Sequence, residues 1–441
     1  MITVSSSAAG ARSNVIRNIS MLSDAAQKAS PRLSSAPRYA ALCDGQRWDV
    51  IIVGAGVAGG AAAITLADAG ARVLVLEKSA FPRHKPCGCC LHSTGVAALS
   101  RLGIEHCITS HRWVDRISCM TSSGEVTLAM PPARVMSRCE LDSALMERAA
   151  ALGATFVDGC DACVEREGAG DVTVTAHLSE DRNTPCVLHA SYVIDATGLL
   201  GLRNRDPSTP VAPRRTRSID VSYVGVWSMV PADAATLGPE LTMMFGRYGY
   251  VGAVRLADGT LNIAAAVSPR AIAAAGSSGV CIAELANECK QGWLAELAVD
   301  ARWRGTPPLT GRNLFTHLLN ISQVGSRAGA SGASRVVTAG DSTGFIEPVT
   351  GEGMSWGLLA GEAIGLELAA TLGLRRCVGR SLLLREMILQ RQRRCALTSG
   401  MLRSNTLRHL GMSALRTFPK TGEAVIRAWM SDATSRRGSF S

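Results

Sequence analysis

The chain has 441 residues, of which 47% are apolar; it is long enough for two or three domains, and its composition excludes a fibrous or wholly disordered protein. Its net charge of +10 sits at the ends: residues 1–47 carry six Lys/Arg against two acids and residues 371–441 carry fourteen against three, leaving the body mildly acidic. A uniformly basic nucleic-acid binder would not partition its charge this way, nor lack aromatic–basic interleaving, so no nucleic-acid partner is expected.

Residues 1–47, rich in Ser, Ala and Arg, predict a disordered leader, with an organellar transit peptide as the alternative. Structure is expected from Trp48 onward. Asp49 to Val53 is a short apolar run of the kind that forms a buried parallel strand, and Gly54 to Gly60 reads as a glycine-rich turn. Ala61 to Ala69 reads as a helix of small residues ended by Gly70, and Arg72 to Leu76 as a second buried strand. The run from Val50 to Ala67 is uncharged and nearly of transmembrane length, but its glycines and strand-like opening indicate a nucleotide-binding turn, so a soluble protein is expected.

A long loop from Lys78 to Leu91 leads to a helix ending near Leu102. The spacing of Leu141, Leu145, Ala149 and Leu152 predicts a helix over 138–152. Val172 to Thr175 and Tyr192 to Asp195 read as strands. Residues 216 to 267 are strand-rich, with runs at Asp220 to Val230, Leu241 to Phe245 and Leu261 to Val267 and turns at Gly249 and Asp258-Gly259; they predict an antiparallel sheet distinct from the first layers. Arg335 to Ala339 is one more strand, followed by Gly340-Asp341, a glycine-rich loop and a helix over 353–371. The last seventy residues read as helical and basic.

Gly54-Ala-Gly56-Val-Ala-Gly59 stands between a strand and a helix, and Glu77 closes the next strand. In that context the glycines have physical roles. Gly54 permits the tight turn, Gly56 lets the backbone approach a pyrophosphate, and the helix N-terminus offers free N–H groups to it. Glu77 can accept hydrogen bonds from ribose hydroxyls, and Lys78 beside it is a further cofactor-binding candidate. Asp341 ends a strand, where an α/β sheet places ligand contacts, and Gly351-Glu-Gly353 precedes a helix whose N–H groups could face developing negative charge.

Fourteen Cys are scattered without a disulfide framework, and no secretory signal precedes them, so a reducing, cytoplasmic compartment is expected. Cys160-Asp-Ala-Cys163 begins a strand and reads as ordinary buried thiols. Arg83-His-Lys85-Pro-Cys87-Gly88-Cys89-Cys90-Leu-His92 gathers bases that would lower a thiol's pKa or attract an anion. Its Cys spacing suits one tetrahedral ion poorly, and no metal site is expected.

Several of these segments together resemble the FAD-dependent oxidoreductase superfamily of aromatic-hydroxylase and geranylgeranyl-reductase type. The Gly54–Glu77 unit is joined, in order, by Arg138-Cys-Glu-Leu141 opening a helix, by Val193-Ile-Asp-Ala-Thr-Gly198, and by Ala339-Gly-Asp341 running to Glu347-Pro-Val-Thr-Gly351-Glu-Gly353-Met354. The resemblance covers about residues 48–370. It implies FAD as cofactor, with Arg138 beneath it, Gly340 and Asp341 at the ribityl chain, and Gly351, Gly353 and Met354 at the flavin edge. Lys85-Pro-Cys87-Gly88 is similar to a stretch that geranylgeranyl reductases carry near the flavin, which makes Cys87 and Lys85 the flavin-proximal candidates; no side chain is assigned as acid or base. One departure stands out: where that family has Gly-Tyr-x-Trp, this chain has Gly249-Tyr250-Val-Gly252.

The expected fold is therefore α/β. A Rossmann-like FAD-binding domain of GxGxxG type spans 48–215 and 331–370, an inserted antiparallel β-sheet substrate domain spans 216–330, and a basic helical C-terminus spans 371–441. The expected activity is transfer of hydride from reduced FAD to a small organic substrate of isoprenoid type. The alternative is an NAD(P)H-dependent monooxygenase, and a third reading is a flavin redox sensor without turnover. No second GxGxxG unit is present for NAD(P)H, which is expected as a transient electron donor. The basic C-terminal region could rest on an anionic membrane or hold an anionic substrate, or simply be solvated.

Overall fold

The computed structural model describes residues 42, 45–104, 112–168, 170–179, 184–205, 223–231, 238, 240–309, 334–343, 348–374 and 378–430. Most of the expected leader, residues 216–222 of the expected sheet, Glu347 of the second glycine-rich segment and the last eleven residues lie outside them.

Strand β1 (Arg47–Val53), helix α1 (Val57–Asp68) and strand β2 (Val73–Leu76) form the βαβ unit. The helix starts earlier than the glycines suggested, because Gly59 and Gly60 serve close packing rather than a turn. A Cβ on Gly59 would lie 1.9 Å from the Gly54 carbonyl oxygen, and one on Gly60 would lie 2.8 Å from the Leu145 Cβ.

The chain continues through β3 (Cys90–Leu91), α2 (Ser93–Arg101), β4 (Arg112–Thr121), β5 (Gly124–Val135), α3 (Arg138–Ala151) and β6 (Thr155–Val157). Next come β7 (Cys160–Glu167), β8 (Val172–Leu178), β9 (Cys186–Asp195), β10 (Arg203–Asn204) and β11 (Tyr223–Pro231). After these stand β12 (Leu241–Gly246), β13 (Gly249–Arg255), β14 (Thr260–Val267), three helices α4 (Pro269–Ala275), α5 (Ser278–Glu288) and α6 (Gly292–Asp300), β15 (Arg304–Leu309) and β16 (Val336–Thr338). Helices α7 (Gly353–Thr371), α8 (Val378–Arg403), α9 (Asn405–Thr417) and α10 (Pro419–Met430) close the described chain.

The first sheet has the order β10-β7-β8-β9-β1-β2-β6, with β16 also on β9. Its parallel part is apolar on both faces, as a sheet covered by helices must be: Val50, Ile51, Ile52, Val73, Leu74 and Val75 are fully buried. α7 crosses α1 at very short range. A Cβ on Gly361 would meet the Ala58 carbonyl oxygen at 2.1 Å and one on Gly365 the Thr65 Cβ at 2.7 Å, so this contact admits only glycine at those positions of α7.

The second sheet has the order β15-β11-β14-β13-β12-β4-β5-β3 and draws on more of the chain than residues 216–330. β3, β4 and β5 belong to it, and β12 pairs with β4 in parallel while the other pairings are antiparallel. Period-2 alternation splits its side chains. Met244, Val251, Ile263 and Val267 pack with Ile282, Leu285 and Leu294 of α5 and α6. Met243, Phe245 and Tyr250 point to the opposite face. The final helices return to this sheet: the Ala129 N–H donates to Glu423 Oε1 at 3.1 Å and Arg416 Nη1 to the Ser123 carbonyl at 2.8 Å, fastening α9 and α10 over β4 and β5.

Candidate active site

The pairings Val53↔Leu76, Val53↔Asp195 and Thr338↔Asp195 bring the carboxyl ends of β1, β2, β9 and β16 level. Ligands of open α/β sheets bind at such a row, where the chain direction switches sides. Gly54, Glu77, Ala196 and Gly340-Asp341 lie just past these ends. Gly54 has φ +108, and a Cβ there would lie 2.3 Å from the Ala196 carbonyl oxygen, so the turn needs glycine on both counts. Asp195 holds the neighbouring turn rather than facing a ligand: Oδ1 accepts from the Thr197 N–H and hydroxyl, and Oδ2 from the Leu202 N–H at 3.1 Å.

Gly56 is the N-cap of α1 with no side-chain cap, which leaves the first N–H groups of the helix to a ligand. A Cβ at Gly56 would stand 3.4 Å from Arg138 Nη2 and 3.8 Å from Arg83 Nη2. Two guanidinium groups thus converge where the backbone is bare. They are held by acids: Asp142, wholly buried, accepts from Arg138 Nη2 at 2.8 Å and Arg83 Nη1 at 2.9 Å, and Glu77 accepts from Arg83 Nη2 at 3.1 Å. Asp142 was not singled out in the sequence; its spacing of four from Arg138 on one helix is the signal that could have found it.

Glu77 also accepts from the Ala55 N–H at 3.0 Å and the Ser79 N–H at 3.0 Å. Burial alone would push its carboxyl up, but Arg83 and these N–H donors outweigh it and hold the group below its ordinary range. An ionised carboxylate has about four acceptor directions; three are taken, so one remains, on Oε1, for a ribose hydroxyl. The bare glycine cradle, the two guanidinium groups and this carboxylate fit a dinucleotide diphosphate and its ribose.

The loop after β2 carries the thiol cluster. The Cys89 N–H lies 3.4 Å from Cys87 Sγ, and the Asn262 amide donates to the Cys87 carbonyl at 3.0 Å while accepting from the Trp227 indole, which ties the loop to β14 and β11. The hydrogen bond from the Cys89 thiol, helped by Arg138, pushes Cys87 down to about 6, against the effect of burial. Cys90 is pushed up by burial to about 12. Burial, with Arg138 adding to it, also lowers Lys85, which Asp341 partly restores. Cys87 is therefore the thiolate of the cluster at neutral pH. Iodoacetamide is expected to label it preferentially, at a rate that rises through about pH 6 and is flat above pH 8; Cys87→Ser should remove that fast phase in peptide mapping. A single labelling phase centred above pH 8 would contradict the assignment.

All of this opens into one cavity of about 1220 Å³. Gly54, Gly56, Glu77, Lys78, Lys85, Cys87, Asp341 and Gly351 line it together. Gly59 and Gly340 pack against Gly54 and Ala58 behind the lining, Arg138 reaches the Gly56 turn from below, Gly353 begins α7, and Met354 is buried in the core cluster beside α1. His92 Nε2, 3.1 Å from the Thr350 carbonyl oxygen, braces the Gly351 loop. The wall remote from the glycines is apolar: Ile117, Leu128, Met130, Met243 and Phe245 from the sheet, and Leu402, Met412, Leu415 and Ile426 from the final helices. No sequence signal marks α8 to α10 as completing this wall. Gly252, where the resembled family has Trp, lines the cavity too.

Residues 47–232 match the family model described as FAD binding domain. Menaquinone reductase of Mycobacterium tuberculosis (strain ATCC 25618 / H37Rv) is 27% identical over 328 residues, covering 71% of this chain and 74% of that protein. These similarities support an FAD-dependent oxidoreductase. Two solved structures share the fold of this FAD-dependent oxidoreductase. A flavoprotein/dehydrogenase from Cytophaga hutchinsonii is superposed with a TM-score of 0.63 at 16% identity, over 82% of this chain and 87% of that one. P. aeruginosa PqsL in complex with 2-aminobenzoylacetate also gives 0.63, at 15% identity, over 82% and 98%. As an FAD-dependent oxidoreductase it is an enzyme whose redox chemistry comes from the flavin, while the protein supplies position and electrostatics.

Proposed function

We propose that this enzyme reduces a carbon–carbon double bond of a long apolar substrate of isoprenoid type, with NAD(P)H as the transient electron donor. The observation that carries the reading is the cavity: one end is the glycine cradle and its charges, and the rest is a mainly apolar chamber roofed by the second sheet and walled by α8 to α10, which add Thr398 and Arg408 to an otherwise apolar wall. A chamber of that lining rewards burial of hydrocarbon at about 25 cal/mol per Å² and offers little to a polar substrate. Similarity to the mycobacterial menaquinone reductase supports a substrate with a prenyl tail.

In this reading the N–H groups of α1 and the guanidinium groups of Arg83 and Arg138 would hold the FAD diphosphate, Glu77 with Lys78 beside it would hold the adenosine ribose, and Gly340-Asp341 would meet the ribityl chain. Gly351 and Gly353 bring bare backbone to the flavin edge. Reduced FAD supplies the hydride. Saturation of the double bond also takes up one proton, and Lys85 Nζ, in the cavity wall and shifted toward easier proton release, is the group placed to give it. Cys87, a thiolate at neutral pH, keeps negative charge beside Arg138 and is a poor proton donor.

The test is a visible spectrum of the purified protein followed by NAD(P)H oxidation with and without oxygen. Anaerobic saturation of a prenyl quinone or polyprenyl compound is expected. Consumption that requires oxygen and yields a hydroxylated product would replace the reading with a monooxygenase; flavin bound without turnover of either kind would leave a redox sensor.

Gly252 sets how much chamber the substrate has. Its backbone is not left-handed, and the one tight contact of a Cβ there would be the flexible Met243 Sδ at 3.0 Å, the Ala264 carbonyl oxygen lying at an ordinary 3.8 Å. Gly252→Trp should therefore fold, retain FAD, and lower kcat/KM for a long prenyl substrate about 100-fold while affecting a short analogue much less, by loss of buried contact and of room. Equal rates for both substrates in both proteins would show that the substrate does not use this wall.

A further inference from the structure

We infer that α8, α9 and α10 form a docking face for an anionic lipid bilayer, and that the mouth of the cavity opens within it. The starting point is α9, which is apolar on two sides. Met412 and Leu415 pack inward against Val126 and Leu128 of β5, which fastens the helix to the fold. On the other side Leu407, Leu410, Ala414 and Phe418 follow three- and four-residue spacing and so share one stripe. That stripe faces outward: Leu410 is 62% and Phe418 63% exposed. Leu397 and Met401 of α8, four residues apart, and Val425 of α10 extend it and are themselves more than half exposed. Single exposed apolar side chains are ordinary, but a contiguous set on neighbouring helices marks an interaction surface.

The charge around the stripe selects the occupant. Residues 378–430 contain ten Lys/Arg and two acids; Arg380 and Arg385 pair with Glu362 and Glu367 of α7 and Arg408 is buried, which still leaves cations in excess on these helices. One of the acids, Glu423, is engaged with the Ala129 N–H. Arg393, Lys420 and Arg427 are exposed. An apolar stripe flanked by cations is the pattern of helices that lie in the bilayer interface, drawn by buried hydrocarbon and by anionic headgroups. No helix among the described residues is long and apolar enough to cross a membrane, so the contact is peripheral. Leu397, Met401, Leu407 and Val425 are at once exposed and part of the cavity lining. The rim of the cavity therefore lies in the docking face, and an apolar substrate can pass from lipid to chamber without crossing water. Only this last step rests on the substrate reading above; docking itself does not.

The experiment uses the full chain with FAD and no substrate, so its outcome is independent of that reading. Co-sedimentation with phosphatidylcholine:phosphatidylglycerol (1:1) vesicles is compared with phosphatidylcholine vesicles alone. Strong binding to the former is expected, at least about tenfold weaker binding to the latter, and loss in high salt. Leu410→Glu/Phe418→Glu alters only exposed side chains outside the cavity; it should keep FAD content and melting temperature and weaken vesicle binding more than about tenfold. Failure of the native protein to bind anionic vesicles would overturn the proposal, as would unchanged binding by the double variant. A dimer of the native protein that the double variant dissolves, with no vesicle binding, would assign the face to a second copy of the chain instead.

Discussion

Gly56→Val is expected to give a folded protein that has lost its flavin. The residue is the N-cap of α1 in extended backbone, which valine adopts readily, so the fold itself asks little of it. What valine changes is the space in front of the helix. Its Cβ would already lie 3.4 Å from Arg138 Nη2, and its methyl groups would take the volume that a diphosphate must occupy between the helix N–H groups and the guanidinium groups. A single lost charge-assisted hydrogen bond is worth about 1.5–3 kcal/mol, and the substitution displaces several together, so affinity for FAD should fall by more than about a thousandfold. Gly54→Ala is the contrast. There a Cβ meets the Ala196 carbonyl oxygen at 2.3 Å in left-handed backbone, so β1 and β9 must separate, and both stability and FAD are lost. The check is the absorbance near 450 nm together with thermal unfolding. Normal flavin content in Gly56→Val would refute the placement of the diphosphate; a native melting temperature in Gly54→Ala would refute the backbone constraint.

The same pair shows what could be read from sequence. The glycine spacing, the apolar run before it and Glu77 after it all report local geometry, and local geometry is what residue order encodes. The helices over 57–68, 138–151 and 353–371 were legible for the same reason, through small-residue or amphipathic runs bounded by caps. The second sheet was legible only in part. Strands 112–121 and 124–135 join it from far away in the chain, β12 meeting β4 in parallel, and no periodicity announces a pairing partner over a hundred residues distant. The same limit hid the cavity wall. The last helices read only as helical and basic; that Leu402, Met412 and Ile426 close a chamber follows from contacts such as Glu423 with Ala129, which hold α10 against β5. The departure at Gly252 was visible as a letter but acquired meaning only once its strand was seen to line the cavity.

Asp142→Asn is the second change with a large expected effect, and it acts on the empty protein more than on the loaded one. In the native chain two guanidinium groups and two carboxylates, all nearly buried, balance one another: Arg83 lies between Glu77 and Asp142, and Asp142 also grips Arg138 through Nε at 3.0 Å and Nη2 at 2.8 Å. Asparagine keeps the shape but removes the charge and turns an N–H₂ donor toward a guanidinium. Breaking a buried pair in this way costs about 3–5 kcal/mol, which for a protein of this size corresponds to a fall in melting temperature of about 3–5 °C. A bound diphosphate brings about two negative charges to the same guanidinium groups, so FAD should restore much of the loss. The rise in melting temperature on adding FAD is then larger for the variant than for the native protein, and by linkage its affinity for FAD is correspondingly higher. Thermal unfolding of both proteins over a series of FAD concentrations measures this directly. Equal destabilisation with and without FAD would mean that Arg83 and Arg138 do not face the diphosphate, and that the network beneath α1 serves the fold alone.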